Sequence, residues 1–181
     1  MEKYIAILRG INVSGSKMIK MEKLKLSMIE LKFRNIETYI QSGNILFEYT
    51  KTNQQELADL ITHKIEEAFG FHVPVIVKNA KELNTVIANN PFISNRNEAI
   101  DKLHVTFFSG EPDKALQDKL AKNVTDSDEF IIAGNMVYLF CPNGYGRTKF
   151  NNNYFEGKLK ISATTRNWKT VIKLAEMINA K

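Results

Sequence analysis

"SGNILFEY", residues 42–49, recurs as "AGNMVYLF" at residues 133–140, and this pair decides how the chain is read. In each copy a Gly-Asn step, Gly43-Asn44 or Gly134-Asn135, separates two strand-like runs: "ETYIQ" from "ILFEY", and "EFIIA" from "MVYLF". Gly and Asn tolerate the positive φ that tight turns require, so both copies predict β-hairpins. A second likeness joins "VKNAKEL" (77–83) to "TRNWKTV" (165–171), each running from a strand into a helix. The offset is 91 residues from Gly43 to Gly134 and 88 from Asn79 to Asn167. A nearly constant offset is what a tandem duplication leaves behind.

The flanking periodicity completes each half. "YIAILRG" is a continuous apolar run, as expected of a strand buried on both faces, and "LHVTFFSG" matches it in pattern. Met21, Leu24, Met28 and Leu31 recur at helical spacing. Asn53 followed by Glu56 predicts an N-cap with a capping box. Leu57, Leu60, Ile61, Ile65, Ala68 and Phe69 form that helix's stripe, and Gly70 suits its C-terminal cap. "VPVIV" is a strand whose Pro74 cannot donate a ladder hydrogen bond, which assigns it to an edge. A short helix with Leu83, Val86 and Ile87 follows.

After "NNPFISNRNE" the order restarts. Leu116, Leu120 and Val124 mark a helix, Tyr154, Phe155 and Leu159 another, "ISATT" a strand, and Trp168, Val171, Ile172, Ala175 and Ile178 a terminal helix. The expected fold is α+β, with two tandem ferredoxin-like subdomains, 1–92 and 93–181. Each reads βαββαβ plus an extra helix over a mainly antiparallel sheet. Right-handed crossovers put the first strand of each half at the sheet centre. The first sheet's outer face, with Glu37, Tyr39 and Gln41, is expected to be open. The second sheet is apolar on both faces and is expected to be covered on both.

Composition narrows the function classes. The chain has 181 residues, 44% hydrophobic and 25% charged, an ordinary globular balance. Net charge is +5 and the sequence pI about 9.2, which favours polyanions weakly. The single cysteine, Cys141, excludes an intramolecular disulfide and reads as a buried, inert thiol inside "MVYLFC". No run approaches the ~20 apolar residues of a membrane span, and the N-terminus lacks a secretory leader pattern, so no membrane partner and a cytoplasmic location are expected.

The chemistry-bearing motifs are few. In "RGINVSGSK", Gly10, Gly15 and Lys17 stand between a strand and a helix. A phosphate loop needs Gly-Lys-Ser/Thr in a row, whereas Ser16 intervenes here and Met18 replaces the hydroxyl residue. A simple anion-binding turn remains, with Arg9 and Lys17 as its cations. Gln41, Ser42 and Asn44 are secondary polar candidates at the hairpin. The main candidates are Arg147, Lys149 and Arg166, which flank two expected helix starts and converge if those starts share one end of a sheet. Cations there oppose the helix dipole unless an anion binds. His63, His72 and His104 are dispersed, so no metal is expected, and no cofactor motif or RNA-binding aromatic signature appears.

Four stretches occur together: "LRGINVSGSKMIKM", "YIQSGNILF", "YGRTKF…EGKL" and "ATTRNWKTVIKL". In order and spacing the chain resembles bacterial domain-of-unknown-function family 1697. The resemblance implies two similar ferredoxin-like subdomains in a cytosolic protein and implies no established activity, cofactor or catalytic residue. The functional expectation is a binding module for an anionic partner, either nucleic acid or a phosphorylated small molecule. The alternatives are a small enzyme with its site between the subdomains, or an interaction and assembly module; self-association stays open.

Overall fold

The computed structural model describes residues 1–121 and 127–180. Val124 therefore lies outside the described residues. The elements run β1 (Glu2–Leu8), α1 (Met21–Glu30), β2 (Arg34–Tyr39), β3 (Asn44–Tyr49), α2 (Gln54–Phe69), β4 (Val75–Asn79) and α3 (Ala80–Ala88). They continue through α4 (Pro91–Ser94), β5 (Leu103–Phe108), α5 (Lys114–Ala121), β6 (Glu129–Ala133) and β7 (Met136–Phe140). The last are α6 (Asn152–Leu159), β8 (Ala163–Asn167) and α7 (Trp168–Asn179).

The strands form two antiparallel sheets of the same order, β2-β3-β1-β4 and β6-β7-β5-β8. This is the ferredoxin-like arrangement, with the doubly apolar strands β1 and β5 inside and β4 at an edge. Pro74 directly precedes β4, and its carbonyl accepts from Arg9 N at 2.9 Å.

The chain divides into two compact units, Met1–Asn84 with Leu174–Lys181, and Thr85–Lys173. Side-chain bonds within each unit accompany this division. The Asn84 and Asn179 amides bond to each other, and Lys3 Nζ donates to the Ala180 carbonyl. Tyr138 Oη donates to Val86 O at 3.1 Å, tying that part of α3 to the second unit's sheet.

In the first unit, Tyr4, Ala6 and Leu8 of β1 pack beneath Leu24 and Met28 of α1 and Leu57, Ile61 and Ile65 of α2. Each of the leucine, isoleucine and methionine side chains among them contributes roughly 1.5–3 kcal/mol when fully buried. Phe33 stacks on Phe47 with ring centroids 4.1 Å apart. Leu60, assigned to the same stripe, instead stays 37% exposed, and Ala68 is exposed as well. The buried residues of α2 are Leu57, Ala58, Ile61 and Ile65.

In the second unit, Phe108, Val137 and Leu139 pack with Leu120, Phe150 and Phe155. On the opposite face Leu103, Val105, Phe107 and Tyr138 are buried too, so both faces of β5 and β7 are covered.

Two local expectations change. Asn53 does cap α2, accepting from Gln55 N at 2.7 Å, but Glu56 accepts from Thr52 Oγ1 at 2.7 Å and leaves the capping box open. Strand β8 also extends two residues past "ISATT", to Asn167. Asn167 then caps α7 by accepting from Thr170 N at 2.8 Å. Arg166 is consequently a strand residue rather than the first residue of a helix.

Candidate functional site

The register of the second sheet decides where its cations sit. Leu103 pairs with Phe140, the last residue of β7, and His104 pairs with Asn167, the last residue of β8. Both strands therefore finish at the start of β5, and the chain turns there toward α6 and α7. Between β7 and α6 the backbone makes a 3-10 turn over Tyr145–Arg147. Tyr145 stacks on His104, with ring centroids 4.8 Å apart. Behind it, Thr106 Oγ1 and Thr165 Oγ1 lie 2.8 Å apart, and Thr165 Oγ1 donates to Asn152 Oδ1 at 2.7 Å. This chain of hydroxyls pins the first turn of α6 to β5 and β8.

Arg166 lies opposite Val105 and is 7% exposed. Its Nη1 donates to Thr164 Oγ1 at 3.1 Å and to Thr165 O at 2.9 Å. Burial pushes its pKa down to about 10. Arg166 thus keeps its charge at neutral pH; it shares the sheet face of Val105, whereas His104 and the Tyr145 stacked on it lie on the other face. Arg147 and Lys149 are exposed, Lys149 with its ammonium 5.4 Å from the Phe150 ring centroid. Among the described residues no carboxylate pairs with Arg147. By contrast, Arg96, not singled out from the sequence, is committed to structure: its guanidinium bridges Glu98 at 2.6 Å and Glu129 at 2.8 Å.

The first unit places its candidates differently. Lys17 Nζ donates to His72 O at 2.7 Å, so this lysine fastens a loop. Arg9 is half-buried. Asn44 is fully buried and donates to Tyr39 O at 3.0 Å and Ser42 Oγ at 3.4 Å, which is turn chemistry. Gln41 is exposed. Gly43 (φ 82°) lies so tightly against the strap that an added Cβ would come within 2.6 Å of Ile11 Cδ1.

The residue that sequence reading passed over is Asn12. Its Nδ2 donates to Ile19 O and Gln41 O, and its Oδ1 accepts from Ile19 N at 2.7 Å. One amide therefore closes the strap 10–20 and docks it on the β2–β3 turn, which explains why "RGINVSGSK" and "QSGN" occur together. The available signal was an asparagine in a glycine-rich turn, where φ of 54° is tolerated. Beside the strap lies a groove of about 600 Å³, and Lys20, the N-cap of α1, makes no side-chain cap there. A second groove of about 480 Å³ lies beside Glu37 and Glu48, but Ile5, Ile7, Leu46 and Ile76 on the same face of the first sheet are buried, so that face is not open as expected beyond the β2 edge.

Among the described residues no three His, Cys, Asp or Glu side chains are grouped as metal ligands. Cys141 is buried, and burial beside Asp128 raises its pKa to about 11, so it carries no thiolate near neutrality.

Two ferredoxin-like units built on matching antiparallel sheets define the class. Residues 1–138 match the family described as Protein of unknown function (DUF1697), and the chain belongs to that family. No curated protein matches. Among solved structures, a conserved bacterial protein from Streptococcus pneumoniae is similar with a TM-score of 0.76 and 21% identity, over 99% of each chain. That likeness concerns the fold. Among the described residues no helix is long and apolar enough to cross a membrane.

Proposed function

We propose that this protein is a cytosolic binding module whose partner is anionic, either nucleic acid or a phosphorylated small molecule. The partner is held at the end of the second sheet, with Arg147 and Lys149 making first contact and Arg166 supplying charge from beneath. The observation that carries the reading is the register that ends β7 and β8 together at the start of β5, with Tyr145 stacked on His104 two residues before the exposed Arg147. Cations from two segments, Arg147 and Lys149 after the 3-10 turn and Arg166 near the end of β8, thus stand toward one end of this sheet. A guanidinium charge at low exposure acts on a bound anion with far less screening than a surface charge.

The arrangement suits phosphate better than a base. Arg147 and Lys149 are exposed and on flexible stems, which matches recognition of a backbone or terminal phosphate. Titration of isotope-labelled protein with pyrophosphate, and separately with a short oligonucleotide, tests this. Amide shifts should be largest over 145–149 and at His104 and Arg166. Shifts confined to other segments, or none with either probe, would remove the site.

A further inference from the structure

We propose that the groove beside the start of α1 is a separate site for a single-chain amphiphile with an anionic head, a fatty acid in chemical class. Its volume, about 600 Å³, falls within the roughly 300–1,000 Å³ of small-ligand sites. Met18, Met21 and Phe69 supply apolar walls, and Met18 is left 64% exposed. Unbranched thioethers adapt to an irregular aliphatic body, which is why methionines serve surfaces that accept flexible apolar ligands.

The rim supplies the head-group chemistry. Lys20 and Lys23 are exposed and line the groove, against the single carboxylate of Glu22. That balance fits one negative charge. Gln41 adds an exposed amide donor. Asn12 also lines the groove, but its amide is spent on Ile19 and Gln41. Its role is to hold the wall in place before the ligand arrives, which lowers the ordering cost of binding. An extended peptide fits less well, because the groove runs beside a helix and a closed strap and offers no strand edge to pair with.

Calorimetric titration of the full chain with decanoate, below its micelle concentration, tests the site. Saturable one-to-one binding is expected. Met18→Glu, which puts a charge into the apolar wall, and separately Lys20→Glu with Lys23→Glu, which place like charge against the head, should each weaken it by about tenfold or more. Decan-1-ol, with the same chain and no charge, should bind about tenfold more weakly or worse. The substituted positions are exposed, and circular dichroism confirms folding. Arg147→Ala with Lys149→Ala should bind decanoate like the unaltered chain, so this site and the one in the second unit stand or fall separately. Absence of saturable binding, equal binding of the alcohol, or indifference to the charge reversals would overturn the proposal. So would concentration-dependent self-association that Met18→Glu abolishes without any decanoate binding, which would assign the groove to a second copy of the chain.

Discussion

Lys78 and Arg166 occupy the same place in the two sheets. Lys78 lies opposite Ile5 and Arg166 opposite Val105, each on the strand flanking the central one. They are 4% and 7% exposed, and each is followed by an asparagine that caps the next helix. The residue four positions on differs. Glu82 meets the Lys78 ammonium at 3.3 Å, whereas position 170 carries a threonine. One framework thus holds a buried cation twice and surrounds it with different chemistry.

The Lys78 pair gives a direct stability prediction. Burial lowers the Lys78 pKa, and the Glu82 carboxylate opposes that shift. Glu82 also accepts from Asn79 N and Gln54 Nε2. Glu82→Gln leaves the ammonium buried without its counter-charge and should cost about 2–3 kcal/mol, less than the roughly 3–5 kcal/mol of a fully buried pair because Glu82 remains partly in water. Urea unfolding measures this; a loss below about 0.5 kcal/mol would show that Lys78 relaxes into solvent.

His104 predicts a slope in stability with pH. Burial lowers its pKa from 6.5, with the Lys102 carbonyl pulling weakly the other way. Well above 6.5 neither state holds the proton, so this group contributes nothing there. As pH falls below 6.5 the unfolded chain takes up a proton that the folded chain does not, and stability falls until the folded pKa is passed. The slope is at most about 1.4 kcal/mol per pH unit. His104→Phe keeps the stack on Tyr145 and should remove this component from the Tm profile between pH 6.5 and 4.5.

Cys141 should be inert. With its pKa near 11 and its side chain buried, native protein at pH 8 should resist alkylation by iodoacetamide, and modification should follow the unfolding transition. Rapid labelling in buffer would contradict the packing described for β7.

The strap clamp is equally testable. Gly43→Ala meets both a positive φ and a Cβ contact of 2.6 Å, and should cost about 2–4 kcal/mol. Asn12→Ala removes three hydrogen bonds and should cost about 2–3 kcal/mol by the same unfolding assay.

Much of the fold was legible because its determinants are local. The apolar runs of β1 and β5, the Gly-Asn turns and the strand-to-helix junctions at Asn79 and Asn167 act within a few residues. The end of β8 was misjudged because Arg166 and Asn167 are polar, yet the ladder to Val105 and His104 continues through them. Tertiary pairing there overrides composition. The candidate site was legible only as a set of cations. The Tyr145–His104 stack joins residues 41 apart in the chain, and no periodicity encodes such a contact. Likewise, Asn12 shows its role only once Ile19 and Gln41 are seen on either side of it.

The most direct test of the central claim is the salt dependence of oligonucleotide and pyrophosphate binding by the native chain and by Arg147→Ala with Lys149→Ala. Saturable binding of at least one probe is expected, weakened about tenfold or more by the substitutions. For the oligonucleotide, the slope of log affinity against log salt should become shallower by about two. Identical affinities and slopes for both proteins, or no binding of either probe, would contradict it.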